Sequence, residues 1–302
     1  MVTRTRAGQL YALLGVTMFS ASIPMTKWAV EGFDPLVTAT VRAVIAGGIA
    51  LPLLAVRRVP FPPKPLRRSL AYTTLGAVFG WPMLIAVALT RSTSAHTAVI
   101  AAFMPLMTAL IAVLRTSERA SGQFWWAASV GTCALVVFSL SRGGGSGGGD
   151  PIADLLVVGA VIASAWCYVE GAGLTAVMPG WQVISWVVVV AMPVTIPLSA
   201  WLLMTHGHSG TIPLRAWIGL AYIGVVSMYF GFWAWYRGLA LAGVTKGSAI
   251  QQLQALMTLG ISAALLGERV GLSTLIAAVT VVASVLLAQR SRIVAPVPTE
   301  MD

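Results

Sequence analysis

The chain has 302 residues, 58% of them hydrophobic and only 9% charged, with a formal net charge of +10. A soluble domain carries about 25% charged residues, so a soluble fold is excluded: the charges are too few to cover its surface. In a soluble chain the basic excess would point to nucleic acid, but here most Lys and Arg fall in short gaps between apolar stretches, where they act as membrane-orientation signals.

Apolar stretches of about 20 residues are long enough to cross the hydrocarbon core. Ten are expected, at 8–28, 35–56, 70–89, 94–115, 122–140, 152–174, 181–203, 214–235, 242–265 and 271–289. The first follows the basic segment Met1–Arg6 but is long enough to span, so it is read as a helix and not as a signal peptide. The second is followed by a basic loop, 57–68, in which Pro60, Pro62, Pro63 and Pro65 stop any helix. The third holds Trp81-Pro82, and the fourth holds Pro105 near its centre. Cys133 and Cys167 lie in apolar spans with no CxxC or zinc spacing and read as packing residues. A glycine tract at 142–150 reads as a flexible linker after the fifth span. From Ser291 onward, Pro296 and Pro298 mark an expected disordered tail.

One segment occurs twice. Residues 94–119 and 244–269 align without a gap, and both end in Ser/Gly-Glu-Arg. Five spans precede the glycine tract and five follow it. An odd number of spans per half makes the second copy enter the bilayer from the opposite side. The expected fold class is therefore an all-α integral membrane protein with ten helices in two inverted-topology repeats. Residues 1–141 form the first repeat, 142–150 the linker, 151–290 the second repeat and 291–302 a cytoplasmic tail. With the N-terminus in the cytoplasm, thirteen Lys and Arg lie on the inner side and five on the outer, with Arg42 inside the second span. Both termini are thus expected to be cytoplasmic.

A transport path needs polar or adaptable groups at mid-membrane. Gln251 and Gln254 are three apart and share a helix face. They read either as helix–helix glue or as the lining of a cavity that binds a polar solute. Trp81, Trp166 and Trp233, with Tyr229 and Phe103, are either core aromatics or the wall of such a cavity. Pro105 is a packing bend or a gating hinge. Arg42, about 10 Å into its span, either snorkels outward or holds a carboxylate. Glu170 is the acidic residue placed to carry a proton. No Asp or Glu stands at a span centre, which favours a facilitator over a proton antiporter. No GxxxxGK[ST] loop and no His/Cys/Asp/Glu cluster occurs, so no enzyme, cofactor or metal is expected.

These marks resemble the EamA-like branch of the drug/metabolite transporter superfamily along nearly the whole chain. The residues that carry the resemblance are Met104-Pro105, Ser117-Glu118-Arg119, Gly267-Glu268-Arg269 and Trp235-Tyr236-Arg237-Gly238-Leu239-Ala240. Within the branch, the aromatic and neutral amino-acid exporters are the nearest match. The resemblance implies a monomeric inner-membrane carrier that exports small amphipathic solutes, amino acids among them, by alternating access. Its partners would be these solutes and the lipids, with no nucleic acid. By span it places Trp81, Phe103, Trp166, Tyr229, Trp233 and Gln251 around a central cavity. A proton-coupled drug or metabolite pump and a non-carrier channel or structural membrane protein are the alternatives.

Overall fold

The computed structural model describes residues 2–115, 122–142, 150–206, 211–242, 250–251 and 253–290. Residues 143–149, the Ser117-Glu118-Arg119 motif and the residues from Ser291 onward lie outside the described residues. All regular structure among the described residues is helical.

The first rod is α1 (Val2–Ser20) and α2 (Ser22–Val30). Pro24 explains the interruption between them. It has no N–H to offer the Ser20 carbonyl, and the Thr258 hydroxyl donates to that carbonyl instead, at 2.9 Å. Helix α3 (Pro35–Val56) starts where Asp34 accepts from the Leu36 and Val37 N–H groups, with Pro35 as its first residue.

The next rod is continuous but uneven: α4 (Arg67–Thr74), a π-helical stretch Leu75–Gly80, then α5 (Trp81–Arg91). Pro82 removes a rung of the α-ladder here. A second π-helical stretch, Tyr222–Gly231, joins α11 (Leu214–Ala221) to α12 (Phe232–Ala242) at the matching place 150 residues on, where no proline stands. Proline is therefore not the common cause. Both stretches let a glycine meet another helix closely. A Cβ at Gly76 would lie 2.3 Å from the Ala163 carbonyl oxygen.

The rod carrying Pro105 is broken into α6 (Ser94–Ala101) and α7 (Met104–Arg115). The proline sits in the first turn of α7, where its missing N–H costs least. The remaining helices are α8 (Gly122–Arg142), α9 (Pro151–Thr175), α10 (Gly180–Thr205), α13 (Leu253–Leu266) and α14 (Leu272–Arg290).

Among the described residues, six stretches are long and apolar enough to cross a membrane: Pro35–Val56, Lys64–Arg91, Ser94–Ala112, Pro151–Thr175, Gly180–Thr205 and Leu214–Leu241. Leu253–Leu266 and Leu272–Ser284 are shorter apolar helices. Helix α10 shows why the surface is lipid-facing: Val194, Ile196, Trp201, Leu203 and Met204 are all exposed on it, while Val183, Val187 and Ala191 are buried. A helix apolar on every side fits a bilayer better than water.

Helix α1 packs along α12, α3 along α10 and α8 along α14. The α1–α12 contact is close because Gly238 has no side chain; a Cβ there would lie 2.5 Å from the Ala12 nitrogen. The largest buried cluster includes Val16, Tyr168, Val187, Tyr229, Trp235 and Tyr236.

Candidate functional site

Two adjoining chambers occupy the interior. One, whose empty space of about 320 Å³ includes open solvent, is lined by Ile23, Ala98, Ala101, Ala102, Met104, Pro105, Gln251, Gln254, Ala255 and Thr258. The other, whose empty space of about 400 Å³ also includes open solvent, is lined by Phe19, Ser22, Arg42, Ala77, Trp81, Met104, Ser164, Tyr168, Ser227, Phe232 and Gln254. Met104 and Gln254 line both chambers and stand between them. The Gln251 amide donates to the Met104 thioether at 3.6 Å, a weak contact between Gln251 and the start of α7.

The broken helices shape these chambers. The α6–α7 break brings Ala101, Ala102, Met104 and Pro105 to the lining of the first. The π-helical stretches bring Ala77 and Ser227 to the second, beside Trp81 at the start of α5.

Of the residues expected at a cavity, Trp81, Gln251 and Gln254 line these chambers, with Pro105 and Arg42. Four others sit elsewhere. Trp166 is 37% exposed and packs edge-on against Tyr72, while Trp233 is 40% exposed beside Phe230. Tyr229 is buried in the core, with its hydroxyl 3.0 Å from that of Ser185. Phe103 packs against Ala102, Leu106 and Ala127. Glu170 is buried and forms an ion pair with Arg115 at the end of α7. The Arg115 guanidinium also lies 5.7 Å from the centre of the Trp166 ring.

A polar cluster closes the opposite end of the same helices. The Glu268 carboxylate accepts from the Ser94 and Ala95 N–H groups at 2.8 and 2.7 Å. The Thr93 hydroxyl takes the His96 N–H, and the Thr93 carbonyl takes that of Thr97. The first turn of α6 thus has all its donors satisfied, two of them by an anion from another helix pair, which the helix dipole also favours. Lys27 donates to the Leu89 and Ser92 carbonyls at 2.5 and 2.9 Å, at the C-terminal end of α5 where a cation belongs. The Ser94 and Ser262 hydroxyls are 2.8 Å apart.

His96 and Asp154 complete this cluster, with Nε2 and Oδ1 at 2.7 Å and both residues buried. His96 is the third residue of α6 and sits in the interior. Asp154 was visible only as an acid four residues after Asp150 at the start of an apolar span. Helices α6–α7 and α9 are thus clasped at both ends, by His96–Asp154 and by Arg115–Glu170. The two acids on α9 are separated by about 24 Å at about 1.5 Å per residue. No group of three or more metal-ligating side chains occurs among the described residues.

The arrangement is a pair of interior chambers between helices that are tied at either end. The model of the EamA-like transporter family matches the chain twice, over residues 6–140 and 151–289. A Bacillus subtilis (strain 168) protein named "Uncharacterized transporter YdeK" is 37% identical over 289 residues, covering 96% of this chain and 99% of its own. A solved crystal structure of another protein superposes with a TM-score of 0.66 at 18% identity, covering 95% of this chain and 99% of that one, and so shares its fold. With interior chambers, apolar outer faces and a family match over both halves, the chain belongs to the EamA-like transporter family of multi-pass membrane transporters.

Proposed function

We propose that the chain is a carrier that exports small amphipathic solutes, amino acids including aromatic ones among them, across a bacterial inner membrane. Its rods are ten membrane helices in two inverted repeats joined by the glycine linker, with both termini cytoplasmic, and it acts as a monomer. The observation that carries this reading is the pair of chambers between clasped helix ends. An alternating-access carrier needs an interior site and closures on both sides that release one at a time. Trp81 and Phe232 supply apolar wall for a side chain, and Gln251, Gln254 and the Ser hydroxyls supply hydrogen bonds for a polar head. Pro105, at the α6–α7 break, is the hinge.

Counterflow in reconstituted vesicles tests the proposal. Vesicles loaded with unlabelled amino acid should transiently concentrate the labelled form. No exchange of any aromatic or branched amino acid would sink the favoured substrate class.

Proton-coupled efflux is the second reading, favoured by two buried carboxylates, Asp154 and Glu170, each paired with a basic side chain. A pH gradient that drives uptake in the parent but not in Glu170→Gln or Asp154→Asn would select it.

A further inference from the structure

Arg42 stands at the wall of the larger chamber and is 4% exposed. Among the described residues its Nε has no hydrogen-bond partner, and none of the four ion pairs there includes it. No other described residue lining that chamber is charged. Arginine does not give up its proton under ordinary conditions. A buried, unpaired guanidinium is costly, and of the two readings of Arg42 snorkelling does not fit, because the group is enclosed.

We infer that Arg42 is the anchor for a carboxylate on the transported solute, and that the favoured solutes are net-anionic, with an apolar or aromatic tail. The inference deepens the carrier reading and rests on it. The planar guanidinium presents paired donors that match a carboxylate in two-point contact. Trp81 and Phe232 line the same chamber and offer ring surface to the tail. The Ser22 and Ser227 hydroxyls, 3.1 Å apart, add neutral hydrogen-bonding capacity to the same chamber. A zwitterion brings an ammonium into a chamber that already holds one cation and no anion. It therefore ranks below the simple acid, and an amine ranks last.

One aromatic scaffold separates these cases. Calorimetric titration of the purified full chain in detergent would compare 3-phenylpropionate, its neutral amide, phenylalanine and 3-phenylpropylamine. A charge-assisted contact predicts about tenfold or more tighter binding of 3-phenylpropionate than of the amide. Phenylalanine should fall between the acid and the amine. Arg42→Gln should erase the difference between acid and amide, and Arg42→Lys should restore part of it. Removing an unpaired buried charge should not lower the melting temperature, so Arg42→Met should melt no lower than the parent and lose stabilisation by 3-phenylpropionate. A preference for the amine, no binding across the series, equal acid and amide affinities, or an acid preference that survives Arg42→Gln would overturn the inference. Chloride binding as strong as that of 3-phenylpropionate would do the same. Counterflow tests the carrier reading separately: exchange of a solute that ignores Arg42 would leave that reading intact and remove this one.

Discussion

Met104 and Gln254 occupy equivalent places in the two copies of the repeated segment, 150 residues apart, and both line both chambers. One position offers a soft, adaptable thioether and its counterpart a hydrogen-bonding amide. The duplicated scaffold is therefore asymmetric at the wall shared by the two chambers, as a site for one asymmetric solute requires. Gln254→Met would make the wall symmetric. It should lower exchange about tenfold, in keeping with the loss of one hydrogen bond to a polar solute, while the melting temperature holds. Initial rates in vesicles, beside a thermal melt of the same preparation, check both parts.

Glu268 should be a stability residue. Its carboxylate holds the first two N–H groups of α6 from the far end of α13. Glu268→Ala should cost about 1–2 kcal/mol, the range for a lost helix cap, and Glu268→Gln less, since an amide oxygen still accepts. Denaturant or thermal unfolding in detergent, followed by circular dichroism, reads the difference.

Thr258 and Pro24 should be coupled through a carbonyl that neither owns. Pro24 leaves the Ser20 carbonyl without its helical donor, and Thr258 replaces it. Thr258→Val should cost about 0.5–1.5 kcal/mol. In a Pro24→Ala background the helix supplies its own donor, so the same change should cost clearly less. A double-mutant cycle on unfolding measures the coupling, and strict additivity would contradict this account.

The Arg115–Glu170 clasp should behave as a pair. Glu170 is 6% exposed, whereas the Arg115 side chain is 41% exposed. Arg115→Gln strands a buried carboxylate and should destabilise more than the double change Arg115→Gln with Glu170→Gln, because the double change removes the charge that needs a partner. Melting temperatures of the three proteins give the order.

Helices were legible in the sequence where a long apolar run stands between charged or proline-rich breaks, as on either side of loop 57–68, and six such stretches among the described residues are long and apolar enough to cross a membrane. The break at Pro105 was legible too, since proline forbids an interior rung. The faces of the helices were not. When lipid and core are both apolar, hydrophobic periodicity no longer tells inside from outside. That is why Trp166 and Trp233, chosen as cavity aromatics, stand at the surface, while Trp81 lines a chamber. Arg42 was conspicuous because a lone charge in an apolar run is rare. His96 and Asp154 are 58 residues apart, and Glu268 reaches Ser94 across 174. Such pairings depend on how the helices assemble, which local pattern does not report. The π-helical stretches have no common proline and left no sequence mark.

The most direct test of the central claim, that the paired chambers form the site of an alternating-access carrier, is counterflow of labelled phenylalanine into vesicles preloaded with unlabelled phenylalanine. The account predicts a transient overshoot of label that is strongly reduced in Trp81→Ala at equal reconstituted amount. Label that only equilibrates, or an overshoot unchanged when both Trp81 and Gln254 are replaced by Ala, would contradict it.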